Sequence, residues 1–194
     1  MRDAELLSAA APDRARYDDG LWPGAEPAST LLVGLGNLIF GDEGVGVHAM
    51  RRLEADYAFA PALELVDGGT SGLDLLPLLH GRERLLLIDA LASDAPPGTI
   101  RIIRNRAIRA ALTEKVSLHH LGIADLLALA ELVGCTPPEI VLIGIVPERL
   151  EMQLGLSDRL RERLPAIIAT ALAVLGKWGI ESRPAPAQTA PEIA

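Results

Sequence analysis

The chain has 194 residues, 49% of them apolar, and 18 Lys and Arg against 26 Asp and Glu give a net charge of −8. That length and apolar share suffice for one hydrophobic core, and the acidic balance argues against a nucleic-acid partner, because phosphate contacts need clustered cations. A single Cys rules out an internal disulfide and any CxxC pair for zinc or dithiol redox chemistry, so the chain reads as cytoplasmic.

Residues 1–29 break their short apolar run with charges and prolines, and lack the apolar core of a signal peptide. They read as a flexible extension, and the Pro- and Ala-rich residues 179–194 as a flexible tail, since neither can bury enough apolar surface to offset ordering. Residues 30–178 form the expected single catalytic domain. The longest apolar stretches, such as residues 166–176, fall short of the roughly 18–20 residues needed to span a bilayer, so no membrane association is expected.

Inside the domain, apolar runs alternate with amphipathic ones. LLVGLGN (31–37) is a strand, a helix follows Glu43, LELVDGG (63–69) is a second strand, a short helix starts at Leu73, and RLLLIDAL (84–91) is a third strand. TIRIIRN (99–105) alternates Ile with Arg and Asn, as an edge strand does. A helix from about His120 to Val133 presents Ile123, Leu126, Leu127, Ala130 and Val133 on one face, with Gly134 as its C-terminal cap. EIVLIGIVP (139–147) is a further strand, and the closing helix buries Leu160, Leu164, Ile167, Ile168, Ala171 and Leu175. Continuous Val, Ile and Leu strands are buried on both faces. The expected fold is α/β: a three-layer αβα sandwich around a mostly parallel twisted sheet of about five strands, with an antiparallel edge strand.

In such a sheet, ligands bind beyond the carboxyl ends of the strands. Asn37 and GDEGVG (41–46) follow the first strand, DGGTSG (67–72) the second, Asp89 ends the third, and Ser117 to His120 lead into a helix running back along the sheet. All fall on one edge. His80 and Cys135 belong to loops on the opposite edge and are poor catalytic candidates. Glu43, Asp89 and His119 thus gather around one crevice, where two carboxylates and an imidazole suit a borderline divalent metal with positions open for water or substrate. On pattern alone, Asp89 serves equally as a strand-end cap, Glu43 as first-turn compensation of the helix dipole, and His119, His120 and His48 as surface or helix-face residues.

GLG after a first strand also suggests a dinucleotide fingerprint, with Asp67 placed for a ribose hydroxyl. Ile39 stands where that fingerprint needs its third glycine, and GDEG puts carboxylates where a pyrophosphate would sit, so nucleotide binding is a lesser alternative. GxSxG and HExxH are both absent.

Taken together and in order, GLGNLIFGDEGVGVHAMRRLE, VDGGTSGLDLLP, LLLIDAL, SLHHLGIADLL and IGIVPERLE resemble the hydrogenase maturation protease family, over roughly residues 31–175. The resemblance implies a nickel-dependent endopeptidase of aspartic or metallo type. It would clip the C-terminal extension from the nickel-loaded large-subunit precursor of a nickel-iron hydrogenase, as a monomer in the cytoplasm. The family's metal-binding and catalytic acid after GN corresponds to Glu43, its strand-end aspartate to Asp89, and its histidine before the LG helix to His119. Nickel is the implied cofactor, delivered by the precursor. Asp42 and DGGTSG would support or position the site, and His48 stands where relatives often carry Arg. A nickel-binding chaperone that contacts the precursor without cutting it would use the same three residues.

Overall fold

The computed structural model describes residues 28–113 and 118–185. Strand β1 (Thr30–Leu35) leads through a 3-10 turn at Gly41–Gly44 into helix α1 (Val45–Asp56), followed by β2 (Tyr57–Ala60) and β3 (Leu63–Gly69). Helix α2 (Leu76–Leu79), β4 (Arg84–Ala90), β5 (Ile100–Arg104), α3 (Arg106–Thr113) and α4 (Leu118–Val133) come next, then β6 (Glu139–Ile145), α5 (Asp158–Lys177) and β7 (Glu181–Pro184).

Five strands make the central sheet in the order β3-β1-β4-β6-β5, with β5 alone antiparallel, at one edge. The αβα sandwich expected from the buried apolar runs is therefore present. Side chains alternate between two cores, as strand geometry requires. Leu32, Leu86 and Ile88 join α1 and α5 on one face, while Leu31, Val33, Leu85 and Leu87 join α2, α3 and α4 on the other. Strands buried on both faces need apolar residues at every position, which is why they read as unbroken runs.

Helix faces follow the expected spacing, with two differences. Leu160, Ile167, Ile168, Ala171 and Leu175 of α5 are buried, and Leu164 packs partly against them. On α4, Ile123, Leu126, Leu127 and Ala130 are buried, but Val133, expected on the same face, is 42% exposed because the helix ends there. Gly134 caps it at a positive φ of 74°, and the Cys135 amide donates to the Ala130 carbonyl at 2.9 Å.

The second difference lies at the C-terminal side. Residues 181–184, expected in a flexible tail beginning at 179, form β7 and pair antiparallel with β2 in a separate two-stranded ribbon. Backbone pairing, not side-chain burial, holds β7, since all four of its residues are exposed. Residues 1–27 and 186–194 of the expected flexible ends lie outside the described residues. No helix among the described residues is long and apolar enough to cross a membrane.

Candidate active site

The chain leaves β1 through α1 to reach β3 on one side, then returns through α2 to β4 on the other side. The carboxyl ends of β1 and β4 therefore flank the point where strand order reverses, the place where a doubly wound sheet opens a crevice. Glu43 comes from the turn after β1, and Asp89 from the end of β4.

Two glycines bring these loops together. Gly36 has φ of +123°, a conformation that L side chains rarely adopt, and a Cβ there would overlap the Glu43 carbonyl. A Cβ at Gly46 would overlap the Ile88 carbonyl, so only glycine lets the start of α1 rest against the end of β4. The Gly36 amide also donates to the Gly69 carbonyl at 2.8 Å, which ties the end of β1 to that of β3. Asn37 shapes the intervening turn, its side-chain oxygen accepting from the Ile39 amide at 3.1 Å.

Asp89 is 1% exposed. Burial pushes its carboxyl well above the usual aspartate range; a hydrogen bond from the Ala90 amide pulls the other way, and the nearby Glu43 carboxylate pushes it up again. Strand alternation puts Asp89 on the same face as Leu85 and Leu87, the face covered by α4. Two neighbouring carboxylates in unequal surroundings suit either a proton-holding and proton-accepting pair or a pair of anionic metal ligands.

His119 falls in the first turn of α4, not in a loop before it. That turn is set against the DGGTSG loop by a glycine pair: a Cβ on Gly72 would lie 2.9 Å from Gly122 Cα. The backbone thereby brings the start of α4 to the edge that carries Glu43 and Asp89. Ser117 and the side chains of His119 and His120 lie outside the described residues. Among the described residues, no group of three or more His, Cys, Asp and Glu side chains is placed to hold a metal. Two carboxylates of the expected three-residue site are thus together, with the helix that bears the third residue beside them.

The other polar residues have distinct roles. Asp67 accepts from Arg51 Nη2 at 2.8 Å and from the Gly69 amide at 3.1 Å, so the carboxylate that a ribose would need is engaged by a guanidinium. His48 is half-buried, burial lowers its pKa, and its Nε2 has no hydrogen-bond partner among the described residues. His80 precedes β4 and Cys135 precedes β6, both on the edge away from Glu43. Asp42 is fully buried. Its Oδ2 accepts from the amides of Glu148 and Arg149 at 2.9 and 3.1 Å, and its Oδ1 from the Ser157 amide at 2.7 Å. Sequence reasoning assigned Asp42 a supporting role near the site but missed what it supports, because its partners are backbone amides that carry no residue-type signal.

A profile of hydrogenase maturation proteases matches residues 47–174. The hydrogenase 2 maturation protease of Escherichia coli (strain K12) is 36% identical over 155 residues, spanning 79% of this chain and 94% of that relative. The chain belongs to the hydrogenase maturation protease family. The hydrogenase expression/formation protein HoxM of Cupriavidus necator is 40% identical over 176 residues, covering 84% of this chain and 86% of the relative. Among solved structures, the hydrogenase maturating endopeptidase HybD from E. coli superposes with a TM-score of 0.78 at 34% identity, over 81% of this chain and 98% of that one. As a hydrogenase maturation protease the chain is a hydrolase. Asp89 and His119 fall within the matched profile, and Glu43 lies just ahead of it.

Proposed function

We propose that this protease cuts the C-terminal extension from the nickel-loaded large-subunit precursor of a nickel-iron hydrogenase, using Glu43, Asp89 and His119, as a monomer in the cytoplasm. The observation that carries the reading is the pairing of Glu43 with Asp89 at the reversal of strand order. A desolvated carboxylate beside a second one is costly when ionised, and a divalent cation approaching both relieves that cost. Oxygen and nitrogen donors without a thiolate do not select nickel, since copper binds such a set more tightly. Selection follows if the precursor holds the nickel and the three residues complete its coordination, so nickel arrives as part of the substrate.

Nickel held there would offer either electrophilic polarisation of the scissile carbonyl or an anchor that positions the tail. In both cases this chain's part is the same. Gly36 and Gly46 fix the two carboxylate loops; before docking the buried Asp89 carboxyl holds a proton more readily than an exposed one and it releases that proton on docking, while the half-buried Glu43 accepts one from an attacking water. Family membership supports cutting over a non-cleaving chaperone role.

Mass measurement after incubation with nickel-loaded and nickel-free precursor tests the reading. Only the loaded precursor should be shortened, and Glu43→Gln, Asp89→Asn and His119→Ala should each lose the product by roughly 100-fold or more. Equal cutting of both precursors, or tightly held stoichiometric nickel in the protein purified alone, would rule out the substrate-borne metal.

A further inference from the structure

Between β6 and α5 the chain exposes an uncommon set of side chains. Leu150 is 54% exposed, and Met152 and Leu154 are each 79% exposed, within five consecutive residues. Ile39, 50% exposed, lies against the same stretch, for the Gln153 amide donates to its carbonyl at 3.1 Å. Single apolar side chains on a surface are ordinary, but four exposed on two segments joined by backbone hydrogen bonds mark a contact surface.

This patch is also held in place. The Gly41 amide donates to the Gln153 carbonyl at 2.8 Å, and the Asp42 amide to the Arg149 carbonyl at 3.3 Å. Asp42, fully buried, bonds both ends of the segment through the Glu148, Arg149 and Ser157 amides. A solvated connector needs no such anchoring. The residue after Asp42 is Glu43, so one turn carries an active-site carboxylate and secures the apolar segment.

We propose that Ile39, Leu150, Met152 and Leu154 form a docking surface for apolar residues of the precursor next to the bond to be cut. The inference rests on the proposed cleavage reading. Continuity with the Glu43 turn argues for this occupant, since a chain seated at Glu43 must pass over the adjoining surface. The charged side chains of residues 148–151 are paired, Arg149 with Glu151 and Glu148 with Arg159, which favours apolar contact as the attraction. The net charge of −8 disfavours an anionic membrane surface instead. Rigid display lowers the ordering cost of binding.

The test is the double variant Met152→Ser with Leu154→Ser in the full chain. Both side chains are mostly exposed, so circular dichroism and melting should match the unsubstituted protein. Nickel-free precursor, which the cleavage reading leaves uncut, serves as the binding probe. Its affinity should fall roughly 10-fold or more on loss of two apolar contacts. On nickel-loaded precursor, KM should rise by a similar factor while kcat stays within about twofold. Unchanged affinity and KM, or a loss confined to kcat, would overturn the docking surface. So would a dimer in sedimentation, or protease protection of residues 1–27, that the substitutions abolish. If the unsubstituted protein cuts no precursor but the substitutions still weaken binding, the cleavage reading fails and the docking surface stands.

Discussion

The Ser157 amide donates a 2.7 Å hydrogen bond to Asp42 Oδ1 across 115 residues of sequence. Ser157 is in turn the N-cap of α5, its hydroxyl accepting from the Leu160 amide at 3.3 Å. The turn beside Glu43 is therefore coupled directly to the start of the longest helix.

Removing that coupling should be costly. Asp42→Ala leaves three backbone amides without their acceptor at a fully buried position, each such loss costing about 1–3 kcal/mol. Urea unfolding should show a stability loss of roughly 3–5 kcal/mol, and cleavage should fall with it. A variant within about 0.5 kcal/mol of the unsubstituted protein would mean that the three bonds contribute little.

Asp89 gives a pH-dependent signature. Its raised pKa means that, between the ordinary aspartate range and the raised value, the folded chain binds more protons than the unfolded one, so stability falls as pH rises through that window. Asp89→Asn is neutral throughout. It should melt above the unsubstituted protein at pH 7, with about 2–4 °C for each kcal/mol recovered, and the gap should close below about pH 4. Calorimetric melts across that range check it. An Asn variant melting at or below the unsubstituted protein at pH 7 would contradict a buried, penalised carboxylate.

Glycine replacements should split by position. Gly46→Ala drives a methyl into the Ile88 carbonyl and should cost about 3 kcal/mol or more, whereas nothing lies within 4 Å of a Cβ at Gly176 inside α5. Gly176→Ala should stabilise by about 0.5–1 kcal/mol, through lower backbone entropy in the unfolded chain. Denaturant midpoints measure both, and equal effects would refute the close approach of α1 to β4.

Cys135 is placed for neither chemistry nor fast modification. It lies on the edge away from Glu43, and burial raises its thiol pKa. Cys135→Ala should process precursor at the unsubstituted rate, and iodoacetamide should react slowly at neutral pH. Inactivation by alkylation of Cys135 alone would place the site elsewhere.

The parts of this molecule that were legible in its sequence are those where one residue type serves one physical need. Doubly buried strands demand unbroken apolar runs, so β1, β4 and β6 stood out, and Glu43 after β1 and Asp89 near the end of β4 could be placed on one edge of the sheet. The β2–β7 ribbon was not legible, because ESRP has no apolar alternation and pairs through its backbone with a distant segment. Helix α3 was missed for a different reason: Ile108 and Leu112 have helical spacing, but eight residues are too short a stretch for that spacing to stand out. Asp42 looked like a neighbour of the site, and only the fold reveals the amides it holds. Leu150, Met152 and Leu154 alternate as a strand would, yet the segment is bound to the Glu43 turn instead of to the sheet.

The ribbon has a practical consequence for handling the molecule. The Ala185 amide donates to the Asp56 carbonyl at the far end of α1, and Ser29 meets the beginning of β4 through the Glu83 and Arg84 amides. Both ends of the described fold therefore emerge at the edge opposite Glu43, about 18 Å away along the twelve residues of α1. Coupling to a resin or sensor surface at the Ala185 end of the described fold would put the support on the side away from Glu43.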